Sequence, residues 1–364
     1  AVFFWEQDLK TPLESRRQGL AEVVYQKGLG SIADRSDRVA RLAVAVAGEA
    51  GGDGPVVERA ASLSKCDLLT GMVGEFPELQ GVMGGYYARA SGEQDAVADA
   101  IAEQYRPRFA GDALPGTSAG SILAIADKLD HLAGSFVLGR KPGGGRDPFG
   151  LRRAAQGVVR IILENDLDLD LLSLLKIACE IQPGAAAAGG DPAGEIYDFI
   201  MERLRAYYSS ELELPAEVFE SVRVRRLSSL SDLDARVQAV ASFLQLEAAR
   251  ALAAANKRIA NILRQAGKDS YGPVNPGAFE EREEARLYEA LQSRRKEVAP
   301  LLEERKYREA LTVLSGLRET VDNYFDKVMV MSEEPVLRQN RLATLAELRA
   351  LFLDIADISR LSIG

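Results

Sequence analysis

The chain has 364 residues, of which 47% are hydrophobic and 27% charged, and its 54 acidic and 45 basic residues leave a net charge of −9. No stretch reaches the roughly 18 uninterrupted apolar residues of a membrane span, and two cysteines are too few for a disulfide framework, so we expect a cytoplasmic protein without a membrane partner. The single histidine, His131, nearly excludes Ser-His-Asp triads and multi-histidine metal sites, and the acidic balance argues against non-specific coating of nucleic acid.

The first segment, to about Leu138, has the pattern of helices joined by short turns. Apolar residues recur at helical spacing from residue 39 to residue 46. The glycines of GGDGP (51–55) end that helix, and Pro55 suits the first turn of the next one. A longer helix is predicted over residues 117–136, with Thr117 or Ser118 as its N-cap.

Glycine-rich segments divide the rest of the chain. KPGGGRDP (141–148) lacks the Lys-Ser/Thr ending of a phosphate-binding loop and follows no strand, so we interpret it as a linker and the first boundary. QPGAAAAGGDPAG (182–194) predicts a second linker or long loop. Helical patterns continue to the end, with residues 218–224 as the one candidate strand. Since strands and helices do not alternate, the predicted fold class is all-α.

The helices near residues 61–70 and 126–130 resemble those of the HD phosphohydrolase superfamily, in which a His-Asp pair and a distant Asp bind divalent ions. Here Cys66-Asp67 replaces the pair and Asp127 is the distant residue. Two carboxylates alone still allow a weak Mg²⁺ site. A structural role for them, as ion-pair or cap partners of Lys65 or Lys128, is favoured. We therefore expect a degenerate HD-like domain that binds no catalytic metal.

Residues 252–268 are predicted to form a helix whose apolar side packs and whose other side carries a basic ridge. The ridge consists of Lys257, Asn261, Arg264 and Lys268. Such a ridge can receive RNA phosphates. A solvated face without a ligand is the alternative interpretation.

Two further basic groups lie near the ridge in the sequence. Arg223, Arg225 and Arg226 form a cluster, for which a solvated face is the favoured interpretation. In the C-terminal helix, Arg338 flanks an apolar stripe and is available for contacts. Arg341 lies on the apolar side itself, where a charge needs a partner. A structural ion pair is therefore at least as good an interpretation of Arg341 as an RNA contact.

The strongest signal comes from three blocks of sequence: KCDLLTGMVGEFPELQGVMGGYYA (65–88), LPGTSAGSILAIADKLDHLAGSFVLG (114–139) and DPFGLRRAAQGVVRII (147–162). These blocks closely resemble the bacterial glycyl-tRNA synthetase β subunit. The opening FFWEQDLKTPLESR and the later NKRIANIL, NYFDKVMVM and RQNRLATLAELR are similar to the same family in the same order. The long region that precedes FFWEQD in the family is missing, so we expect the chain to be the C-terminal part of a longer subunit.

The resemblance implies a division of labour between two subunits. In that family a separate α subunit, or the N-terminal half of a fused chain, activates glycine with ATP and Mg²⁺, whereas the β subunit recognises tRNA. The implied partners are glycine tRNA and the α subunit, in an α2β2 holoenzyme, and no cofactor is expected in this chain.

The resemblance also implies three regions. Residues 1–145 would be the HD-like helical domain, 146–195 a helical connector with a flexible linker, and 196–364 a helical-bundle anticodon-binding domain similar to that of arginyl-tRNA synthetases. Single-stranded anticodon bases would need stacking partners, for which Tyr271 and Phe325 are candidates.

Three functions remain open at this point. The first is the tRNA-binding part of a glycine–tRNA ligase, with the ridge as the leading surface and Arg152 and Arg153 as a further candidate surface. The second is an HD-type metal-dependent phosphohydrolase that uses Asp67 and Asp127. The third is a purely architectural helical module that docks the catalytic subunit.

Overall fold

The structure is a computed structural model that describes residues 2–143, 147–267 and 271–361. Over these residues the chain forms seventeen α-helices and a single two-stranded hairpin, so the all-α prediction is confirmed. The chain divides into two compact units. The first comprises Ala1–Ala206 and Ser228–Ser231, and the second comprises Tyr207–Leu227 and Asp232–Gly364. None of the helices formed by the described residues is long and apolar enough to cross a membrane.

The first unit contains the hairpin, β1 (Val24–Gln26) and β2 (Gly30–Ser31), and most of the shorter helices. Its helices are α1 (Val2–Asp8), α2 (Ile32–Ala50), α3 (Gly54–Leu63), α4 (Gly71–Glu75), α5 (Val82–Ala90), α6 (Asp95–Glu103), α7 (Ser118–Val137), α8 (Leu151–Glu164), α9 (Leu171–Glu180) and the start of α10 (Pro192–Glu211).

Local capping explains where the main helices of this unit begin and end. Ser31 and Asp34 form a reciprocal capping box at the start of α2, and Gly51 ends that helix with φ of 67°, a left-handed conformation that favours glycine. Pro55 lies in the first turn of α3, as predicted. The Thr117 hydroxyl accepts the Gly120 N–H and begins α7, which confirms one of the two predicted caps.

Helix α7 is the centre of the first unit. It is buried along most of its length, and α2, α3, α6, α8 and α9 pack around it. Such all-round burial requires apolar residues on every side of the helix. The sequence SILAIADKLDHLAGSFV meets this requirement except at its charged positions, which therefore need partners inside the protein.

The second unit contains the rest of α10 and seven further helices. These are α11 (Ala216–Arg223), α12 (Leu230–Phe243), α13 (Ala249–Ala266), α14 (Arg282–Glu303), α15 (Tyr307–Ser315), α16 (Arg318–Lys327) and α17 (Pro335–Leu353). Helix α13 packs against α16, α17 and a 3₁₀ helix at Ile358–Arg360, while α14 packs against α15, α16 and α17. The unit is a helical bundle.

The predicted strand at residues 218–224 is wrong, because this segment lies in α11. In the sequence, the apolar residues of this segment fit the period of a helix as well as that of a strand. In the structure Val218 and Val222, one helical turn apart, are fully buried, whereas Val224 is exposed. A strand would have placed Val224 on the same face as the other two. Packing of one helical face therefore decides the conformation.

The two compact units divide near residue 206, while the division into three regions stays a prediction. Helix α8 follows KPGGGRDP, yet it packs against α7 within the first unit through buried residues such as Val158 and Ile162. Residues 144–146 of that segment lie outside the described residues. In the second predicted linker, residues 185–187 form one 3₁₀ turn and α10 already begins at Pro192. Glycine-rich composition marks these turns without separating the helices on either side.

Candidate functional site

Helix α13 carries the predicted basic ridge. Leu252, Ala253 and Ile259 are buried on one side of the helix. Lys257, Asn261 and Arg264 are exposed on the other side, and the Arg264 guanidinium donates to the Asn261 side chain. Lys268 lies outside the described residues. The described part of the ridge is therefore an accessible polar stripe.

The tertiary structure adds two arginines to this stripe that the sequence analysis missed. A surface cavity of about 400 Å³ is lined by Arg264 of α13, Arg349 of α17, and Arg360 of the terminal 3₁₀ helix. Asp357 lies in the same cavity, at 3.2 Å from Arg349 and 3.5 Å from Arg360. The cavity is thus lined by three guanidinium groups and one carboxylate, which leaves a positive surface suited to phosphate.

The basic cluster of residues 223, 225 and 226 lies at the end of α11. Both α11 and α13 pack against the 3₁₀ helix Ile358–Arg360, and the Ser221 carbonyl accepts the Asp357 N–H at 2.8 Å. Arg223 pairs with Glu220 at 3.4 Å, while Arg225 and Arg226 are exposed. This cluster and the ridge therefore flank the same short element.

Arg341 has the structural role that its position on the apolar side suggested. Its guanidinium forms two hydrogen bonds with Glu284, at 3.0 and 3.1 Å, and a third with the Met329 carbonyl. Both side chains of the pair are buried. Arg338 is half-buried and its guanidinium lies 3.4 Å from the Ser332 carbonyl. Of these two arginines, Arg338 alone has an accessible side chain.

The two candidate stacking residues already have intramolecular contacts. The Arg258 guanidinium lies 4.3 Å from the centre of the Phe325 ring, so it covers one face of that ring. The Tyr271 hydroxyl donates to the Leu263 carbonyl at 3.2 Å. Both rings are half-buried. Their role in binding bases stays a prediction.

The HD-like region of the first unit contains a network of buried charges. Asp127 lies 2.8 Å from Lys65 and 3.1 Å from Arg35. Burial alone would raise the pKa of Asp127, but the charges of Arg35 and Lys65 outweigh it and hold this pKa well below its ordinary value. The ion pair with Lys65 is one of the structural roles that the sequence analysis favoured for Asp127.

The Cys66-Asp67 pair is also part of the fold. One oxygen of Asp67 accepts the backbone N–H groups of Gly81 and Gly84, at 2.6 and 3.0 Å, at the start of α5. A carboxylate at this position stabilises the helix N-terminus. Burial raises the pKa of the Cys66 thiol to about 12, which favours the protonated thiol at neutral pH.

No group of three or more His, Cys, Asp or Glu side chains within residues 2–143, 147–267 and 271–361 could hold a metal ion. Where the superfamily has metal ligands, this chain has Cys66, Asp67 and Asp127, with the cation of Lys65 beside Asp127. The expectation that the region binds no catalytic metal stays a prediction.

His131 links the hairpin to the segment that precedes α8. Its Nε2 lies 2.8 Å from the Phe149 carbonyl and its Nδ1 lies 2.8 Å from the Tyr25 hydroxyl. A carbonyl only accepts, so Nε2 carries the proton and neutral Nδ1 accepts from the hydroxyl. Burial lowers the pKa of His131 and favours this neutral form.

The class of protein follows from the second unit. Residues 252–358, which include the ridge and the arginines around it, match the family model for the DALR anticodon binding domain. The second half of the chain thus has the helical-bundle architecture and the sequence signature of a DALR anticodon binding domain.

Residues 1–224 match the family model described as glycyl-tRNA synthetase beta subunit, and the chain belongs to this family. It is 46% identical over 361 residues to the glycine–tRNA ligase beta subunit of Chromohalobacter salexigens, covering 99% of this chain and 52% of that protein. It is similarly 46% identical to the protein of the same name from Hahella chejuensis and 47% identical to that of Pseudomonas aeruginosa, with the same coverage. The chain spans about half the length of the curated relatives it matches.

Proposed function

We propose that this chain is the tRNA-binding part of a glycine–tRNA ligase and that its second unit binds the anticodon arm of glycine tRNA. Attachment of glycine would take place on a separate α subunit, or α-like region, that uses ATP and Mg²⁺. The holoenzyme would be an α2β2 assembly in the cytoplasm. The relatives carry the name of the ligase, which supports the proposal for the whole protein.

The exposed ridge of α13 carries this proposal. It lies within the residues that match the anticodon-binding family model, and its described side chains, Lys257, Asn261 and Arg264, are exposed. Arg349 and Arg360 extend its positive charge across a neighbouring cavity. Phosphate contacts position an RNA, and exposed groups such as Asn261 can reach a base or a ribose. The surface is thus suited to a folded RNA, although the chain as a whole is acidic.

The proposal is tested by replacing Lys257, Arg264 and Lys268 together with alanine. Each phosphate contact on single-stranded RNA contributes roughly 0.7 to the dependence of log K on log salt. The triple variant is therefore expected to bind glycine tRNA more weakly and to flatten this slope by about two. The measurement is filter binding of glycine tRNA and a non-cognate tRNA over a series of salt concentrations.

A matched control removes the same charge elsewhere in the second unit. Lys296, Arg308 and Lys327 are exposed on α14, α15 and α16. Their triple alanine variant should leave both affinity and slope unchanged. If the ridge variant remains folded and binds like the unmodified chain, the ridge is only a solvated face. The tRNA surface would then be sought at Arg225 and Arg226, at Arg338, or at Arg152 and Arg153.

A further inference from the structure

The first unit contains a cavity of about 640 Å³ next to the buried charge network. This is within the volume range of sites for small organic ligands. Four basic side chains line the cavity, Arg35, Arg108, Lys128 and Arg153, against two acidic ones, Glu78 and Asp127. Of these charges, Arg35 is paired with Asp127 and with Asp130, and Lys65 is a further partner of Asp127. The remaining cations of the lining, Arg108, Lys128 and Arg153, outnumber its remaining carboxylate, Glu78, so the cavity is positive in a chain whose net charge is −9.

Several of these cations are available to a ligand. Arg108 and Arg153 are exposed at the rim, and in the described residues neither side chain forms an ion pair. Lys128 is different, because its ammonium group is buried and donates to the Arg106 carbonyl at 2.7 Å. Its aliphatic chain passes over Gly157 of α8. A Cβ atom at this position would lie only 2.6 Å from the Lys128 Cε, so the glycine makes room for the lysine. An ammonium has three protons, so Lys128 can donate further bonds.

Aromatic rings form the remaining walls. Tyr25, Tyr105 and Phe149 line the cavity, and they come from the hairpin, the segment after α6 and the turn before α8. Arg35 lies 4.4 Å from the centre of the Tyr25 ring, and Lys65 lies 4.2 Å from that of Tyr105. His131 holds Tyr25 and the Phe149 backbone together. Aromatic rings in the same cavity as the exposed cations Arg108 and Arg153 suit a ligand that has both a planar ring and a phosphate group.

We propose that this cavity binds a mononucleotide, with its phosphate on the cations Arg108, Lys128 and Arg153 and its base against the aromatic walls. The surplus of positive charge favours a phosphate monoester, which carries close to two negative charges at neutral pH, over the singly charged diester of an RNA strand. The site is independent of the tRNA surface proposed for the second unit. The ligand is bound without being hydrolysed, because Asp67 and Asp127 are held by the fold and by Lys65.

The experiment is calorimetric titration of the chain with adenosine 5′-monophosphate and guanosine 5′-monophosphate. Adenosine and inorganic phosphate serve as the two halves of the ligand, and a short single-stranded RNA without a terminal phosphate represents the diester. At least one mononucleotide is expected to bind at least about tenfold more tightly than adenosine, phosphate or the RNA. The double variant Arg108→Ala/Arg153→Ala is expected to weaken this binding by about a hundredfold or more.

Two further variants make the result specific. Arg108→Lys/Arg153→Lys keeps the charges and should recover part of the affinity. Arg41→Ala/Lys176→Ala removes two exposed cations from the first unit outside the cavity and should change nothing. The proposal is overturned if neither mononucleotide binds, if the double alanine variant binds as well as the unmodified chain, or if the RNA binds more tightly than both mononucleotides. Binding of glycine tRNA to the ridge is measured separately, so each proposal can fail alone.

Discussion

In the buried charge network of the first unit, the cations of Lys65, Arg35 and Arg38 each lie beside a carboxylate. Asp127 and Asp130 take up the charges of Lys65, Arg35 and Arg38, all within 3.5 Å. Removing a single member would leave an uncompensated charge in a medium of low polarity, at a cost of several kcal/mol. The Lys65 ammonium also donates to Gln104 at 2.6 Å. Single residues of this network therefore stabilise the walls of the cavity.

His131 makes the stability of the first unit depend on pH. Its pKa is lowered by burial, while in the unfolded chain it is near 6.5. Below about pH 6.5 the unfolded state binds more protons than the folded state, so stability falls as the pH falls toward the folded pKa. We expect His131→Gln to reduce this loss, by up to about 1.4 kcal/mol per pH unit. The measurement is denaturant unfolding at a series of pH values. Fluorescence of Trp5, the one tryptophan, reports the free energy of unfolding of the first unit.

Tyr25→Phe is the matched control for this prediction. It removes the hydroxyl that donates to His131 Nδ1 but keeps the titrating imidazole. It should lower stability at every pH and retain the pH dependence of the unmodified chain. Equal pH dependence in the unmodified chain and in His131→Gln would show that His131 does not titrate as its burial requires.

At the scale of elements, one buried ion pair joins two helices of the second unit. Glu284 on α14 is 2% exposed and Arg341 on α17 is 6% exposed. Burial alone would raise the pKa of Glu284, but hydrogen bonds from Arg341 and from backbone N–H groups hold it below its ordinary value. Arg341 also holds the segment after α16, through the Met329 carbonyl. The pair therefore positions three parts of the bundle.

Glu284→Gln should destabilise the second unit by roughly 3 kcal/mol, because it leaves the Arg341 charge buried without a carboxylate. Replacing both partners with apolar residues, Glu284→Met with Arg341→Leu, should recover most of this loss. Thermal unfolding followed by circular dichroism gives the comparison.

The control for this prediction is a second ion pair between the same two helices. Arg295 of α14 lies 3.1 Å from Glu347 of α17, and the Arg295 side chain is 43% exposed. Because water and salt screen this pair, Glu347→Gln should cost less than about 1 kcal/mol. Similar losses from both single variants would show that the buried pair has no special role.

At the scale of the whole molecule, recognition and chemistry are expected to lie on different subunits. The chain belongs to a β subunit family, and its glycine-rich segment KPGGGRDP lacks the Lys-Ser/Thr of a phosphate-binding loop. We therefore expect the purified chain to show no glycine-dependent exchange of pyrophosphate into ATP above background. We expect the same result even if the cavity of the first unit binds a mononucleotide, since binding alone transfers no adenylyl group to glycine.

The positive control for this assay is the α subunit of a relative, prepared separately and assayed alone and with this chain. Exchange should depend on the α subunit. Robust exchange by the rigorously purified chain would mean that the division of labour between the subunits is misassigned.

Features that depend on near neighbours in the chain could be predicted from the sequence alone. The end of α2 and the start of α3 follow from GGDGP, and the start of α7 follows from Thr117, because caps act within one turn. The accessible stripe of Lys257, Asn261 and Arg264 follows from helical spacing within α13. The all-α class follows from the same periodicity. The family resemblance carried the functional proposal further than any of these patterns.

Features that join distant parts of the chain were decided by the tertiary structure. Arg264 meets Arg349 and Arg360 in one cavity only because α13, α17 and the terminal 3₁₀ helix pack together. The cavity proposed to bind a mononucleotide likewise unites the hairpin, α7 and the start of α8. The period at which apolar side chains recur shows which face of a helix is buried. It does not specify the helix against which that face packs. Long-range packing selects that neighbour, and with it the charges that share a surface.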